Sequence, residues 1–172
     1  MSFNVNLNIA TIKSQYSTKI KAGGNVALEN GKLLEKVVRL YFMEKGISVS
    51  KIVGSTHGLP DLSITTKQVV ISHSTLFFEE MVIECSNLKK GQKYPPWYIK
   101  NLITKINSYI TNQKTVCIIC SYKNIFGAQL SNLANSPKGN IFIIRLGFQI
   151  TINNLNKKLY DIVKKNLDNY FP

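Results

Sequence analysis

Thr115 to Ser121 reads Thr-Val-Cys-Ile-Ile-Cys-Ser, a nearly continuous apolar and β-branched run. Such a run is typical of a strand buried on both faces, whose alternating side chains all meet a hydrophobic layer. A sheet that holds such a strand needs helices on both sides, and the rest of the chain offers them.

From about Val26 to Lys45, Leu33, Leu34, Val37, Val38, Tyr41 and Phe42 recur at helical spacing, and Gly46 follows as the residue that closes the helix. Ile47 to Val53 alternates as a strand, and Gly54 to Gly58 is a turn-rich loop leading into Leu59-Pro60-Asp61. Leu62 to Val70 and Leu76 to Cys85 read as two further strands. In Trp97 to Thr111, Ile99, Leu102, Ile103, Ile106 and Ile110 fall on one helical face. A short helix from Ile125 to Ala134, a strand from Asn140 to Leu146 and a last helix from about Asn153 to Tyr170 complete the pattern. The order predicts an α/β fold with a central mixed β-sheet flanked by helices. Residues 1–24, ending at Gly23-Gly24, read as an N-terminal arm or short strand, which leaves 25–172 as a single domain. A length of 172 residues suits one core.

The formal charge is +13, from 22 basic and 9 acidic residues. Such a field attracts polyanions and speeds encounter with phosphate backbones, so nucleic acid is the expected partner. No apolar run approaches the ~20 residues that span a bilayer, and the first 24 residues lack the apolar stretch and cleavage site of a secretory signal. No membrane association is expected, and a cytoplasmic location is. Cys85, Cys117 and Cys120 are too few and too irregular for a disulfide framework and read as buried thiols. Cys117 and Cys120 form a CxxC, but no second Cys/His pair completes a zinc site.

With so few carboxylates, their positions carry information. Glu84 lies near the end of Met81-Val82-Ile83-Glu84-Cys85-Ser86, where the two-residue period of a strand puts Val82, Glu84 and Ser86 on one face. Asp61 opens the preceding strand, so pairing of the two strands would bring both carboxylates together. Two acids in one site repel, and a divalent cation removes the repulsion. Such an ion polarises a phosphoryl oxygen and lowers the pKa of a bound water, which is the chemistry of phosphodiester hydrolysis. The plainer reading is that both are strand-end residues facing solvent.

The motifs resemble those of the PD-(D/E)XK nuclease superfamily over roughly residues 28–121. Glu35 on the first helix, the Pro60-Asp61 pair and Glu84 match its metal-binding acids. Glu35-Lys36-Val37-Val38-Arg39-Leu40, Lys45-Gly46-Ile47 and Gly54-Ser55 before Pro60-Asp61-Leu62 look closest to the archaeal Holliday junction resolvases. The resemblance implies a restriction-endonuclease-like core, Mg²⁺ or Mn²⁺ held by Glu35, Asp61 and Glu84, DNA as substrate, and a homodimer that cuts two strands. It departs from the pattern at Ser86, where the superfamily usually carries a lysine that positions or activates the attacking water. Lys89, Lys90 or Lys100 could replace that charge, or Ser86 itself could assist the water.

Around this cluster, Ser55 and His57 are candidate phosphate contacts, and His57 also a proton-transfer group; both otherwise read as surface loop residues. The segment from Asn87 to Tyr98 combines Lys89, Lys90 and Lys93 with Tyr94, Trp97 and Tyr98, a mix suited to phosphate contact and base stacking. Its alternative is a loop pinned to the core by Trp97. Glu79 and Glu80 read as edge charges, and Lys157, Lys158, Lys164 and Lys165 as a solvated face of the last helix. The leading expectation is a Mg²⁺-dependent DNA endonuclease, acting on branched DNA such as a Holliday junction, with a type II restriction-like enzyme as a variant. The competing classes are a nucleic-acid-binding protein that has lost the chemistry with the lysine, and an interaction protein for an acidic partner.

Overall fold

The computed structural model describes residues 3–51, 61–64, 68–71, 74–77, 80–112, 114–134 and 141–171. Five helices and seven strands follow in the order α1 (Val5–Lys21), α2 (Val26–Glu44), β1 (Val49–Lys51), β2 (Leu62–Ile64), β3 (Gln68–Ile71), β4 (Ser74–Phe77), β5 (Met81–Ser86), α3 (Pro96–Thr111), β6 (Thr115–Cys120), α4 (Gly127–Ala134), β7 (Ile141–Arg145) and α5 (Lys157–Asp168). The main sheet has the strand order β1-β2-β5-β6-β7. β1 and β2 pair antiparallel, as do β2 and β5, while β6 and β7 join as parallel strands through the α3 and α4 crossovers. The mixed sheet flanked by helices is therefore present.

β6 is buried along its whole length, and its alternating side chains divide between two cores. Cys117 and Ile119 join Ile83, Cys85, Phe142 and Ile144 against α1, α2 and α5. Val116, Ile118 and Cys120 join Val82 and Ile141 against α3 and α4. Cys117 and Cys120 thus face opposite sides of the sheet, which rules out their acting as a pair; all three cysteines are buried free thiols. Gly46 closes α2 with a φ of 71°, the left-handed conformation that a β-carbon disfavours.

Two expectations change. Residues 5–21 are a helix rather than an arm or a short strand. Asn4 caps it by accepting the Leu7 N–H at 3.1 Å, and Val5, Ile9, Ile12 and Tyr16 enter the core. That stripe is one residue wide per turn and is diluted by polar neighbours, so its period is weak to read. The stretches 62–70 and 76–85 hold four strands rather than two. β3 and β4 pair with each other in a separate two-stranded sheet, and only β2 and β5 enter the main one. Alternation persists through a chain reversal, so period alone does not show where one short strand ends. Among the described residues no helix is long and apolar enough to cross a membrane.

Candidate active site

β2 ends its ladder with β5 at Leu62, opposite Ile83. Beyond that pair Asp61 takes over. Its N–H donates to the Ile83 carbonyl at 2.9 Å, and its carboxylate accepts the Cys85 N–H at 2.7 Å. Alternation puts Asp61 on the side of the sheet away from Leu62, the side on which Glu84 stands. The expected convergence of Asp61 and Glu84 across paired strands is present.

Glu84 is 4% exposed. One carboxylate oxygen accepts the Tyr98 hydroxyl at 2.7 Å, while the other is buried with no hydrogen-bond partner. Its carboxyl is pushed well above the usual range, first by burial and next by the charge of Asp61; Glu35 adds to the rise, and the Tyr98 hydrogen bond and Lys105 oppose it. Burial, then the same three carboxylates, also raise the Cys85 thiol. Asp61, Glu84 and Glu35 therefore share one electrostatic neighbourhood, although among the described residues no three His, Cys, Asp or Glu side chains form a group set to hold a metal ion.

The other acids among the described residues are committed elsewhere. Glu29, Glu44, Glu80, Asp161 and Asp168 each form an ion pair with a lysine. Glu80 is held below its usual pKa by hydrogen bonds from Lys114 and then Ser63, which fits an edge charge and not a ligand. Glu29 also buries an Oε2 with no hydrogen bond, but against the cost of burial Lys32 and Lys19 hold its carboxyl below the usual range, whereas that of Glu84 is raised. Burying such a group costs about 1–3 kcal/mol unless something satisfies it.

Two residues hold the arrangement in roles that the sequence does not show, Asn87 and Tyr98. Asn87, immediately after β5, donates to the Asn30 and Ile150 carbonyls at 2.7 Å each and accepts the Ile150 N–H at 3.0 Å. It ties the end of β5 to α2, the helix that carries Glu35. Tyr98 is held in a stack, its ring 4.0 Å from that of Tyr94, which stacks at 5.5 Å on Phe126. Burial pushes the Tyr94 hydroxyl up to about 12, with the Ser86 hydroxyl and Glu84 as its polar neighbours. Ser86 is fully buried and its hydroxyl makes no hydrogen bond of normal geometry.

Lys89, Lys90, Lys93 and Lys100 are exposed, and none of them is among the largest influences on Glu84. Lys105 of α3 is, half-buried and seven residues after Tyr98, hence on the same helical face. Trp97 is 57% exposed and packs edge-on against Tyr98. The loop is thus pinned by Tyr94 and Tyr98 rather than by Trp97. Ser55, His57, Pro60 and Glu79 lie outside the described residues.

The Tyr98 bond favours the ionised form of Glu84, so Tyr98→Phe is expected to destabilise the fold by about 1–2 kcal/mol, more at about pH 8 than at about pH 5. Urea unfolding at the two pH values measures it. An equal loss at both would mean that the bond does not favour the ionised carboxyl.

No family model, no curated protein and no solved structure matches the chain.

Proposed function

We propose that this chain is a metal-dependent DNA endonuclease on a restriction-endonuclease-like core, acting on branched DNA as a homodimer. The observation that carries the reading is Glu84, a buried carboxyl with one bare oxygen, facing Asp61 across paired strands and sensing Glu35 from α2. The order of elements supports the reading: helix α2, the antiparallel strands β1, β2 and β5, helix α3, then the parallel strand β6.

The donor set fits a hard divalent cation, which prefers carboxylate oxygens and keeps several waters. Glu84, Asp61 and Glu35 would hold Mg²⁺ or Mn²⁺, and the ion, when bound, would polarise the scissile phosphate and acidify a water. The chain's own groups do the rest. The Cys85 N–H orients Asp61, Tyr98 fixes Glu84, and Lys105 brings positive charge to the face from which Ser86 cannot supply it. Lys89, Lys90, Lys93 and Lys100 offer an exposed rim for backbone phosphates, with Trp97 as a stacking surface for an unpaired base.

A second reading is a DNA-binding protein without chemistry, favoured by the uncharged Ser86 at the position of the superfamily's lysine. Incubating the protein with labelled four-way junction, linear duplex and single-stranded DNA, in Mg²⁺ or Mn²⁺, separates the two. The nuclease reading expects metal-dependent cutting, fastest on the junction and absent in Asp61→Ala. Salt-sensitive binding of all three substrates with no product in either metal would establish the binding protein instead.

A further inference from the structure

α1 and α2 enclose a groove of about 270 Å³ that lies outside the basic rim around Trp97. Asn8 and Gln15 line it from α1, and Glu35, Lys36 and Arg39 from α2, with Leu40 among its apolar residues. The volume is at the small end of ligand sites, roughly 300–1,000 Å³, and suits one nucleotide unit rather than a larger molecule.

Its chemistry is graded. Two cations lie one turn apart on α2, and Asn8 and Gln15 line the α1 side, the Asn8 Nδ2 donating to the Asn4 carbonyl at 2.8 Å and leaving its Oδ1 as an acceptor. Lys36 is half-buried and Arg39 exposed, on the same wall of the groove as Glu35. Glu35 repels an anion, so a phosphate belongs at the Lys36 and Arg39 positions. Glu35 also acts on Glu84, so the groove and the acidic site share a residue.

We infer that this groove seats one nucleotide of the strand engaged at the acidic site, its backbone phosphate held by Lys36 and Arg39. The inference rests on the nuclease reading and adds to it a subsite on the side of α2 remote from Trp97. The two amides meet the sugar or base edge, and the apolar residues the base face. A strand that enters over Lys89 and Lys93 would pass Glu84 and leave along α2.

Binding of a labelled four-way junction over a series of salt concentrations, without divalent metal, tests it. The double variant Lys36→Gln/Arg39→Gln is expected to bind about tenfold more weakly and to lose about 1 unit from the slope of log affinity against log salt, the contribution of one phosphate. Lys158→Gln, on the exposed side of α5, should change neither. Arg39 is exposed, so Arg39→Gln alone gives the same readout if the double variant does not fold. Wild-type slope and affinity in these variants would overturn the subsite, while loss of cutting in Asp61→Ala would leave the nuclease reading standing. A wild type that neither binds nor cuts DNA would overturn both. Thymidine monophosphate serves as a second probe: groove-dependent binding of it, with junction binding untouched by the substitutions, would make this a site for free nucleotides and overturn the inference as well.

Discussion

Glu84→Gln is expected to abolish metal-dependent cleavage, by at least about 10³-fold or ~4 kcal/mol of transition-state stabilisation, and at the same time to make the protein more stable at about pH 8. Both effects come from the same atoms. The amide keeps the acceptor for the Tyr98 hydroxyl but carries no charge, so it removes the repulsion from Asp61 and Glu35 and the cost of burying an ionised carboxyl. The gain should be about 1–3 kcal/mol, within the range for relieving a buried polar group.

The pH dependence gives the sign. Burial and Asp61 raise the Glu84 carboxyl in the folded state above its ordinary value of 4.5. The unfolded chain therefore ionises first, and the stability linked to this group is complete below about pH 4.5 and lost as pH rises through the raised value. Glu29, Glu44, Glu80 and Asp168 behave in the opposite way, since their carboxyls are held below the usual range and lose stability only in acid. Thermal melts from about pH 5 to about pH 8 should thus separate wild type from Glu84→Gln progressively as pH rises. Adding Mg²⁺ at about pH 8 should raise the wild-type midpoint and leave that of the variant in place, because a ligand that binds only the folded state stabilises by mass action. A variant less stable than wild type at about pH 8, or one that still cuts, would remove Glu84 from the site.

How much of this was legible in the sequence depended on whether a residue's role was local. The double-faced strand at 115–120, helices α2, α3 and α5, and the pairing that joins Asp61 to Glu84 all follow from periodicity and strand alternation, which the chain carries within a few residues. α1 was missed because Val5, Ile9, Ile12 and Tyr16 make a narrow stripe that becomes a buried face only when α2 and α5 cover it. The β3–β4 hairpin was missed because a reversal leaves alternation unbroken. Asn87 reads as a loop residue until Asn30 and Ile150, 57 and 63 positions away, are in place. The groove between α1 and α2 exists only once residues 5–21 are a helix, so the weak stripe that hides α1 in the sequence hides the groove as well.

Lys105 is the sharpest case, and its substitution carries the second large effect. In the sequence it is one of many lysines, and the motif position, Ser86, draws attention to the nearest basic residues, Lys89 and Lys90. Distance along the chain is the wrong guide here. Once Tyr98 is known to meet Glu84, helical geometry selects positions 101, 102 and 105 as sharing its face, and 101 is an exposed asparagine and 102 a buried leucine. Lys100, two residues from Tyr98, is turned by about 200° and belongs to another face. A charge that acts on Glu84 from α3 also acts on a phosphate brought to that carboxyl, and in a site partly shielded from water its effect is large. Lys105→Met is therefore expected to lower the cleavage rate at saturating DNA by about 10²–10³-fold with DNA affinity nearly unchanged, and Lys105→Arg to recover part of the loss. Lys89→Met and Lys90→Met should do the reverse, weakening binding and flattening its salt dependence while leaving the saturated rate in place. Single-turnover cleavage at saturating protein, set beside equilibrium binding of the same junction, distinguishes the two patterns. If Lys105→Met instead lowers affinity like the rim lysines and keeps the rate, Lys105 is one more phosphate contact and the charge absent at Ser86 has no replacement on α3.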